Sequence, residues 1–329
     1  MEKEVFKELC PKKNGRYINP HVADTGFGPL DVLLWKLGWF SDPAEQKHVP
    51  KNCIYPPIID AFDPEKPSLT WINHDSFLIK YAGLHILTDP IWNKRCSPFP
   101  FMGPKRTHPP AMGLEELPRI DFVLISHNHY DHLEKSTVKK LFQANPEIQW
   151  IVPQGLKGWF YKQGISKVIE LSWWEQCHPP SSIPIKVTAV PAQHFSGRRL
   201  GDKNKSLWVG FIVEFDKSKT LYFAGDTGYN PIHFKEIGNR WKNIDLSLIP
   251  IGCYIPRKFM SAIHIDPEQA VALHKEVGSK LSIGMHWKTF QLGDEKPHQP
   301  PYDLHLALQK SALDPATFRA LEPGYAINW

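Results

Sequence analysis

Residues 121 to 133 read Asp-Phe-Val-Leu-Ile-Ser-His-Asn-His-Tyr-Asp-His-Leu, and no other stretch constrains the fold as much. The run Phe122 to Ile125 is apolar and short, in the manner of a buried strand. Directly after it come His127, His129, Asp131 and His132. Neutral imidazoles and carboxylates are the donors that hold zinc and similar divalent ions. Two histidines one residue apart on extended chain project to the same side. Asp131 and His132 fall where the chain must turn, so they point at a second position. One loop is therefore equipped to serve two metals. The competing reading is a His-rich surface loop without chemistry, and distant residues decide between the two.

Three later apolar runs each end in another donor. Val187 to Gln193 leads into His194, Leu221 to Gly225 into Asp226, and Leu281 to Met285 into His286. The C-terminal ends of strands are where α/β sheets place their chemistry. A lone histidine at such a place is usually structural, but seven ligand-type residues at four strand ends argue for a site.

The rest of the chain reads as one α/β unit with an N-terminal extension. Residues 1–67 are Pro-rich and irregular, except for 29–40 (PLDVLLWKLGWF), which predicts a short helix. Its apolar surface either packs on the protein's own body or faces lipid, as Trp and Leu beside Lys suit an interface. The catalytic unit spans 68–329. Leu69 to Ile72, Phe77 to Tyr81 and Leu84 to Leu87 predict antiparallel strands with a tight turn at Ala82-Gly83. Further strands are expected at Gln149 to Val152, Lys167 to Leu171, Ile185 to Val190, Ser206 to Phe215, Thr220 to Ala224 and Leu246 to Ile251. A helix after the metal loop would take Ser136 as its N-cap. Another would begin with Asp266 as cap and Pro267 at its first position.

Composition narrows the function classes. A chain of 329 residues, 42% hydrophobic and 22% charged, can bury a substantial core. A net charge of +5, with Lys and Arg dispersed, fits an anionic substrate or membrane surface and offers no arm for nucleic acid. Five scattered cysteines without a C-x-x-C predict neither a disulfide framework nor a Cys-type zinc site. Met1 to Glu8 lack the apolar core of a secretory signal. No stretch approaches the roughly 18 apolar residues of a membrane span. The expectation is a cytoplasmic protein, peripherally associated with a membrane.

The H-x-H-x-D-H loop with the later His, Asp and His resembles the metallo-β-lactamase superfamily from about residue 68 onward. Thr88-Asp-Pro-Ile-Trp92, Met102-Gly-Pro-Lys-Arg106, Phe223-Ala-Gly-Asp-Thr-Gly-Tyr229, Ile249-Pro-Ile-Gly252 and Pro256-Arg257 sharpen the likeness. They are similar to the branch that hydrolyses N-acyl-phosphatidylethanolamine as a phospholipase D, and Asn19-Pro20 resembles that family's N-terminal arm. The resemblance implies an αβ/βα four-layer sandwich of two mixed sheets flanked by helices. It also implies two Zn²⁺, with Mn²⁺ or Fe²⁺ as alternatives suited to the same donors. One ion would take His127, His129 and His194, the other Asp131, His132 and His286, and Asp226 would bridge them. His264 would be an active-site histidine outside the ligand set, acting as general acid or phosphate donor. Catalysis is expected to rest on His264, Asp131 and Asp226. His74 and Asp89 would orient ligands from behind. Tyr130, Lys105, Arg106 and Arg257 would meet substrate, with a loop-fixing role as the plainer reading of each cation.

The sequence departs from the family pattern in three places. Gly-His-Ala-Ser becomes Asn73-His-Asp-Ser76, Phe195 stands where Trp is usual, and Ile263 stands where Gln is expected. The first alters the setting of His74, and the changes at 195 and 263 bear on the pocket wall. The resulting expectation is zinc-dependent hydrolysis of the phosphodiester of an N-acylated phosphatidylethanolamine through a metal-bridging hydroxide. The products would be phosphatidic acid and an N-acylethanolamine. The alternatives are a lactonase or a phosphodiesterase on a soluble substrate, and a non-catalytic protein that kept the fold. A homodimer is implied by the resemblance alone.

Overall fold

The computed structural model describes residues 10–22, 34–35, 37–40, 43–50, 61–199, 201–216 and 219–329. A small hairpin of β1 (Lys12–Lys13) and β2 (Arg16–Tyr17) precedes the main body. The first sheet is then laid down as β3 (Ser68–Asn73), β4 (Ser76–Tyr81), β5 (Leu84–Thr88), β6 (Phe122–Leu124), β7 (Gln149–Pro153) and β8 (Val168–Leu171). The second follows as β9 (Gln176–Cys177), β10 (Ile185–Val190), β11 (Gly210–Phe215), β12 (Lys219–Phe223), β13 (Leu246–Pro250), β14 (Leu281–Met285) and β15 (Phe318–Ala320). Last, β16 (Ala326–Asn328) returns to pair with β3. The spatial orders are β16-β3-β4-β5-β6-β7-β8 and β15-β14-β13-β12-β11-β10-β9.

Both sheets are mixed. Strands β5 to β8 run parallel, as do β12 to β15, while β3-β4-β5 and β10-β11-β12 are antiparallel meanders. Two antiparallel steps restore the original direction, so β3 points the same way as β5, and β10 the same way as β12. The strands that lead into candidate ligands therefore all finish at one edge of their sheet.

Side-chain alternation builds the layers. On β6, Phe122 and Leu124 enter the core between the sheets, whereas Val123 turns to the outer side. On that outer side it meets Val138 and Leu141 of α1 (Lys135–Ala144) and Phe160 of α2 (Lys157–Tyr161). Over the second sheet lie α3 (Pro231–Arg240), α5 (Pro267–Glu276) and α6 (Gln299–Lys310), while the short α4 (Arg257–Met260) packs Phe259 and Met260 in a separate cluster with Trp35 and Cys253. Phe234, Ile237, Ala270, Leu273, Leu304 and Leu308 cover the sheet. Two sheets with helices outside give the expected four-layer sandwich.

Asp266 caps α5, accepting from the Gln269 N–H at 2.9 Å, with Pro267 at the first turn. The cap of α1 differs from the expectation. Glu134, not Ser136, accepts the Thr137 N–H, because the Glu134 carboxylate is also held by the N–H groups of Trp92 and Asn93 at 3.0 and 2.8 Å. Of 29–40, only residues 34, 35 and 37–40 are described, and the rest of that expected helix lies outside the described residues. Trp35 is buried, stacks on Phe259 with centroids 5.3 Å apart and donates to Asp294 at 2.8 Å. Trp39 stays 76% exposed. Of the two Trp of this segment, one packs on the protein's own body and the other is exposed.

Candidate metal centre

The loop after β6 brings its ligands together with those from the second sheet. His127 Nε2 lies 2.8 Å from His129 Nδ1, which lies 3.2 Å from His194 Nε2. Asp226 Oδ2 stands 3.7 Å from His127 Nε2 and 3.5 Å from His194 Nε2. These four residues converge within 4.8 Å of one another. Beside them, Asp131 Oδ2 lies 3.3 Å from His132 Nε2 and 3.5 Å from His286 Nε2. Asp226 reaches this second group too: Oδ2 is 3.3 Å from His132 Nε2 and Oδ1 is 3.1 Å from His286 Nε2. Its carboxylate therefore faces both clusters, the position a bridge requires.

The donor sets fit divalent ions. Tetrahedral zinc with bonds of about 2.0–2.1 Å holds its nitrogens roughly 3.3 Å apart, close to the spacings seen. His132 Nε2, both His286 nitrogens and Asp226 Oδ1 are buried without a hydrogen-bond partner. Orphaned buried donors and acceptors are costly unless something else satisfies them.

Behind the ligands, a second tier of bonds selects which nitrogen faces inward. His132 Nδ1 donates to Asp89 Oδ2 at 2.7 Å, leaving Nε2 toward the cluster. His127 Nδ1 contacts Ser126 Oγ at 2.9 Å, and Ser126 in turn donates to Asp89 through both Oγ and N–H. His194 Nδ1 donates to the Ile263 carbonyl at 2.9 Å. His74 Nε2 bonds Asp131 Oδ2 at 3.0 Å. The expected supports, Asp89 and His74, thus touch ligands directly, and Ser126 adds a relay that sequence reasoning missed.

The backbone here is unusual. His74, Asp89, Cys253 and His286 all have positive φ, at 42°, 30°, 64° and 63°. Such conformations persist only where the surroundings enforce them, and they cluster at functional sites. Two glycines make the close approaches possible. A Cβ on Gly225, at φ 62°, would sit 2.7 Å from Ser126 Cβ, and one on Gly252 would sit 2.1 Å from the His286 carbonyl oxygen.

Electrostatics divides the ligands into two groups. Burial lowers His129 to about 3 and His194 to about 4, and holds His127 well below the usual imidazole range. Burial opposes charge on His286 as well, yet Asp226 and Asp75 override it and raise that imidazole to about 10. For His132 the Asp226 and Asp131 carboxylates likewise outweigh burial and keep it well above its usual range. Burial works against charge on Asp226 and Asp131 too, but His286 and His132 hold both carboxyls well below their ordinary range. The carboxylates thus favour positive charge at His132 and His286, whereas burial keeps His127, His129 and His194 neutral.

The remaining candidates fall into place around this centre. His264 is buried, with ring centroids 5.1 Å from His194 and 5.2 Å from His286, and its Nδ1 has no hydrogen-bond partner. Burial holds it well below the imidazole range, so it is neutral at pH 7. Arg257 is spent on fixing the loop that carries His264. Its Nη1 donates to the His264 and Tyr254 carbonyls, Nη2 to Gln269, and Nε pairs with Asp266 at 3.3 Å. Lys105 is exposed. Arg106 donates to the Asn93 and Ile91 carbonyls, but its Nη1 is buried without a partner. Tyr130 lies under the Arg198 guanidinium, 3.9 Å from its ring centroid.

Arg198, Asp75, Phe195 and Asn19 carry roles their sequence positions did not reveal. Arg198 donates to the Asn128, His129 and Leu133 carbonyls and so ties down the metal loop from the second sheet. Asp75, at the Ala position of the family pattern, is buried with neither carboxylate oxygen hydrogen-bonded, and burial lifts it to about 8. Phe195 packs edge-on against the ligand His129 at 4.4 Å, and Asn19 donates to the His194 carbonyl at 2.8 Å.

Comparison with known proteins agrees with this geometry. The model of the beta-lactamase superfamily domain matches residues 85–287. The N-acyl-phosphatidylethanolamine-hydrolyzing phospholipase D 1 of Caenorhabditis elegans is 43% identical over 240 residues, 71% of this chain and 67% of that protein. The mitochondrial N-acyl-phosphatidylethanolamine-hydrolyzing phospholipase D of Saccharomyces cerevisiae is 34% identical over 275 residues, 80% of this chain but 58% of the yeast protein. Among solved structures, a metallo hydrolase from the archaeon Ignicoccus hospitalis aligns at a TM-score of 0.60 with 22% identity, covering 80% of this chain and 98% of that one. That likeness speaks for the fold alone. Sandwich, paired His/Asp clusters and relatives agree: the chain belongs to the metallo-β-lactamase superfamily and is a metal-dependent hydrolase resembling the N-acyl-phosphatidylethanolamine-hydrolysing phospholipases D.

Proposed function

We propose that the chain is a two-zinc phospholipase D that cleaves N-acyl-phosphatidylethanolamine, or a closely related phospholipid, to phosphatidic acid and an N-acylethanolamine. The observation that carries the two-ion reading is Asp226, whose carboxylate lies within 3.1–3.7 Å of donors in both clusters. The substrate class is supported by the two relatives of that name. When bound, a pair of divalent ions supplies Lewis-acid polarisation of a phosphoryl oxygen and a water of lowered pKa.

The chain's own residues orient and discriminate. Asp89, directly and through Ser126, keeps the inward nitrogens of His132 and His127 available as ligands. His264, neutral and with Nδ1 unpartnered, acts as a hydrogen-bond donor to the phosphate rather than as a cationic acid. Arg106, whose buried Nη1 has no partner, is the cation assigned to the substrate phosphate. For membrane access we assign Leu37 and Trp39, with Phe99, Phe101 and Met102, all exposed apolar side chains suited to the lipid interface. No helix of the described residues is long and apolar enough to cross a membrane.

The deciding experiment combines metal analysis of purified protein with a panel of substrates. Two zinc ions per chain and release of N-acylethanolamine from vesicles are expected. Turnover confined to soluble esters or lactones would reject the lipid reading. One ion per chain, or a different metal, would reject the two-zinc assignment. Sedimentation of the same preparation tests the homodimer.

A further inference from the structure

Beside the two clusters lies a third convergence of donors, which shares His264 and His286 with the hydrolytic reading and adds Cys253, a residue that reading does not use. Cys253 Sγ and one nitrogen each of His264 and His286 lie within 4.8 Å of one another. All three side chains are more than nine-tenths buried. His264 Nδ1 and both His286 nitrogens lack hydrogen-bond partners. The cysteine is fixed in place rather than draped over the site. Its backbone sits at φ 64°, its N–H donates to Glu295 at 2.5 Å, and the Ile255 N–H donates to the other Glu295 oxygen at 3.1 Å. Gly252, immediately before it, lies flat against the His286 carbonyl, where a Cβ would stand 2.1 Å away. Thiolate with imidazole is the donor set of a soft ion, not of magnesium or calcium.

We propose that Cys253, His264 and His286 form an inhibitory site for a soft divalent cation, such as cadmium or a third zinc. Binding releases the thiol proton and forms metal–sulfur and metal–nitrogen bonds, with no redox change. The ion takes His264 from the phosphate and competes for His286, so occupancy stops hydrolysis. The consequence for activity rests on the function proposed above; the binding itself does not.

The test is a cadmium titration of the zinc-loaded protein, following cadmium–thiolate charge-transfer absorbance in the ultraviolet alongside hydrolysis. In the unaltered chain, absorbance should saturate at one equivalent per chain with the same midpoint as the loss of activity. Cys253→Ala and Cys253→Ser should hydrolyse substrate like the parent without cadmium and lack that absorbance step. Their inhibition midpoint should rise by at least about tenfold, since losing a ligand costs no less than the 10–100-fold of losing a ligand's support. Unchanged midpoints and absorbance in both variants would overturn the proposal and trace inhibition to exchange in the two clusters. If the protein shows no zinc and no hydrolysis, the phospholipase reading fails. A Cys253-dependent absorbance step would even then uphold the soft-ion site.

Discussion

Removing the Asp89 carboxylate takes the acceptor from His132 Nδ1 and, through Ser126, from His127 Nδ1. One substitution thereby loosens a ligand in each cluster. Asp89→Ala should lower metal affinity by about 10–100-fold, and Asp89→Asn should lower it less, as read by competition with a chromophoric chelator. Equal affinity in all three proteins would refute the orienting role. The histidines also predict different pH behaviour for the two ions. A ligand imidazole must be neutral. His129 at about 3 and His194 at about 4 are already neutral at pH 6, so affinity in their cluster should be flat from pH 6 to 9. His286, raised to about 10, and His132, raised above its ordinary range, must shed protons to bind. Affinity in the second cluster should climb as pH rises over the same interval. Stepwise metal titrations at several pH values check this, and parallel slopes for both steps would contradict it.

At the scale of elements, the site was legible wherever a ligand follows an apolar strand. β6, β10, β12 and β14 each end within a few residues of a donor, and strand polarity then gathers those donors at one edge. What the sequence hid depends on contacts between distant segments. Arg198 reads as one of many loop cations until its guanidinium is seen on three carbonyls of the metal loop. Arg257 reads as a headgroup contact until its donors are found occupied within its own loop and α5. α6 was masked by Pro300 and Pro301, which sit in its first turn, where missing N–H groups cost nothing. α3 does carry a start signal in the sequence, since Asn230 caps it and Pro231 follows. The link between β12 and Asp226 gives the sharpest element-scale prediction. Gly225→Ala adds a Cβ 2.7 Å from Ser126 at a positive φ. It should cost about 1–3 kcal/mol of stability and displace the bridge, seen as a lowered Tm together with weakened metal binding. A variant with unchanged Tm and metal content would show that the turn has slack.

For the molecule as a whole, the sandwich and the N-terminal segment do different work. The sandwich from Ser68 onward carries every donor of the metal clusters, and the described parts of residues 10–50 brace it from outside. Tyr17 bonds Gln154, Asn19 bonds the His194 carbonyl, and Lys47 pairs with Asp303. The contact of Asn19 with the backbone of a ligand was not legible in the sequence. The outward Trp39 and Phe101, 76% and 75% exposed, lead to a test of lipid access. Changing both to Ser should weaken binding to anionic vesicles while turnover of a soluble phosphodiester survives, measured by vesicle co-sedimentation and a release assay. Unchanged vesicle binding would assign docking to another face.

Neither cluster can be completed from one sheet. His127, His129, Asp131 and His132 follow β6, whereas His194, Asp226 and His286 hang from β10, β12 and β14. An ion bound here is a non-covalent cross-link between two halves of the chain. A growing chain has no complete donor set for its second ion until residue 286 has joined.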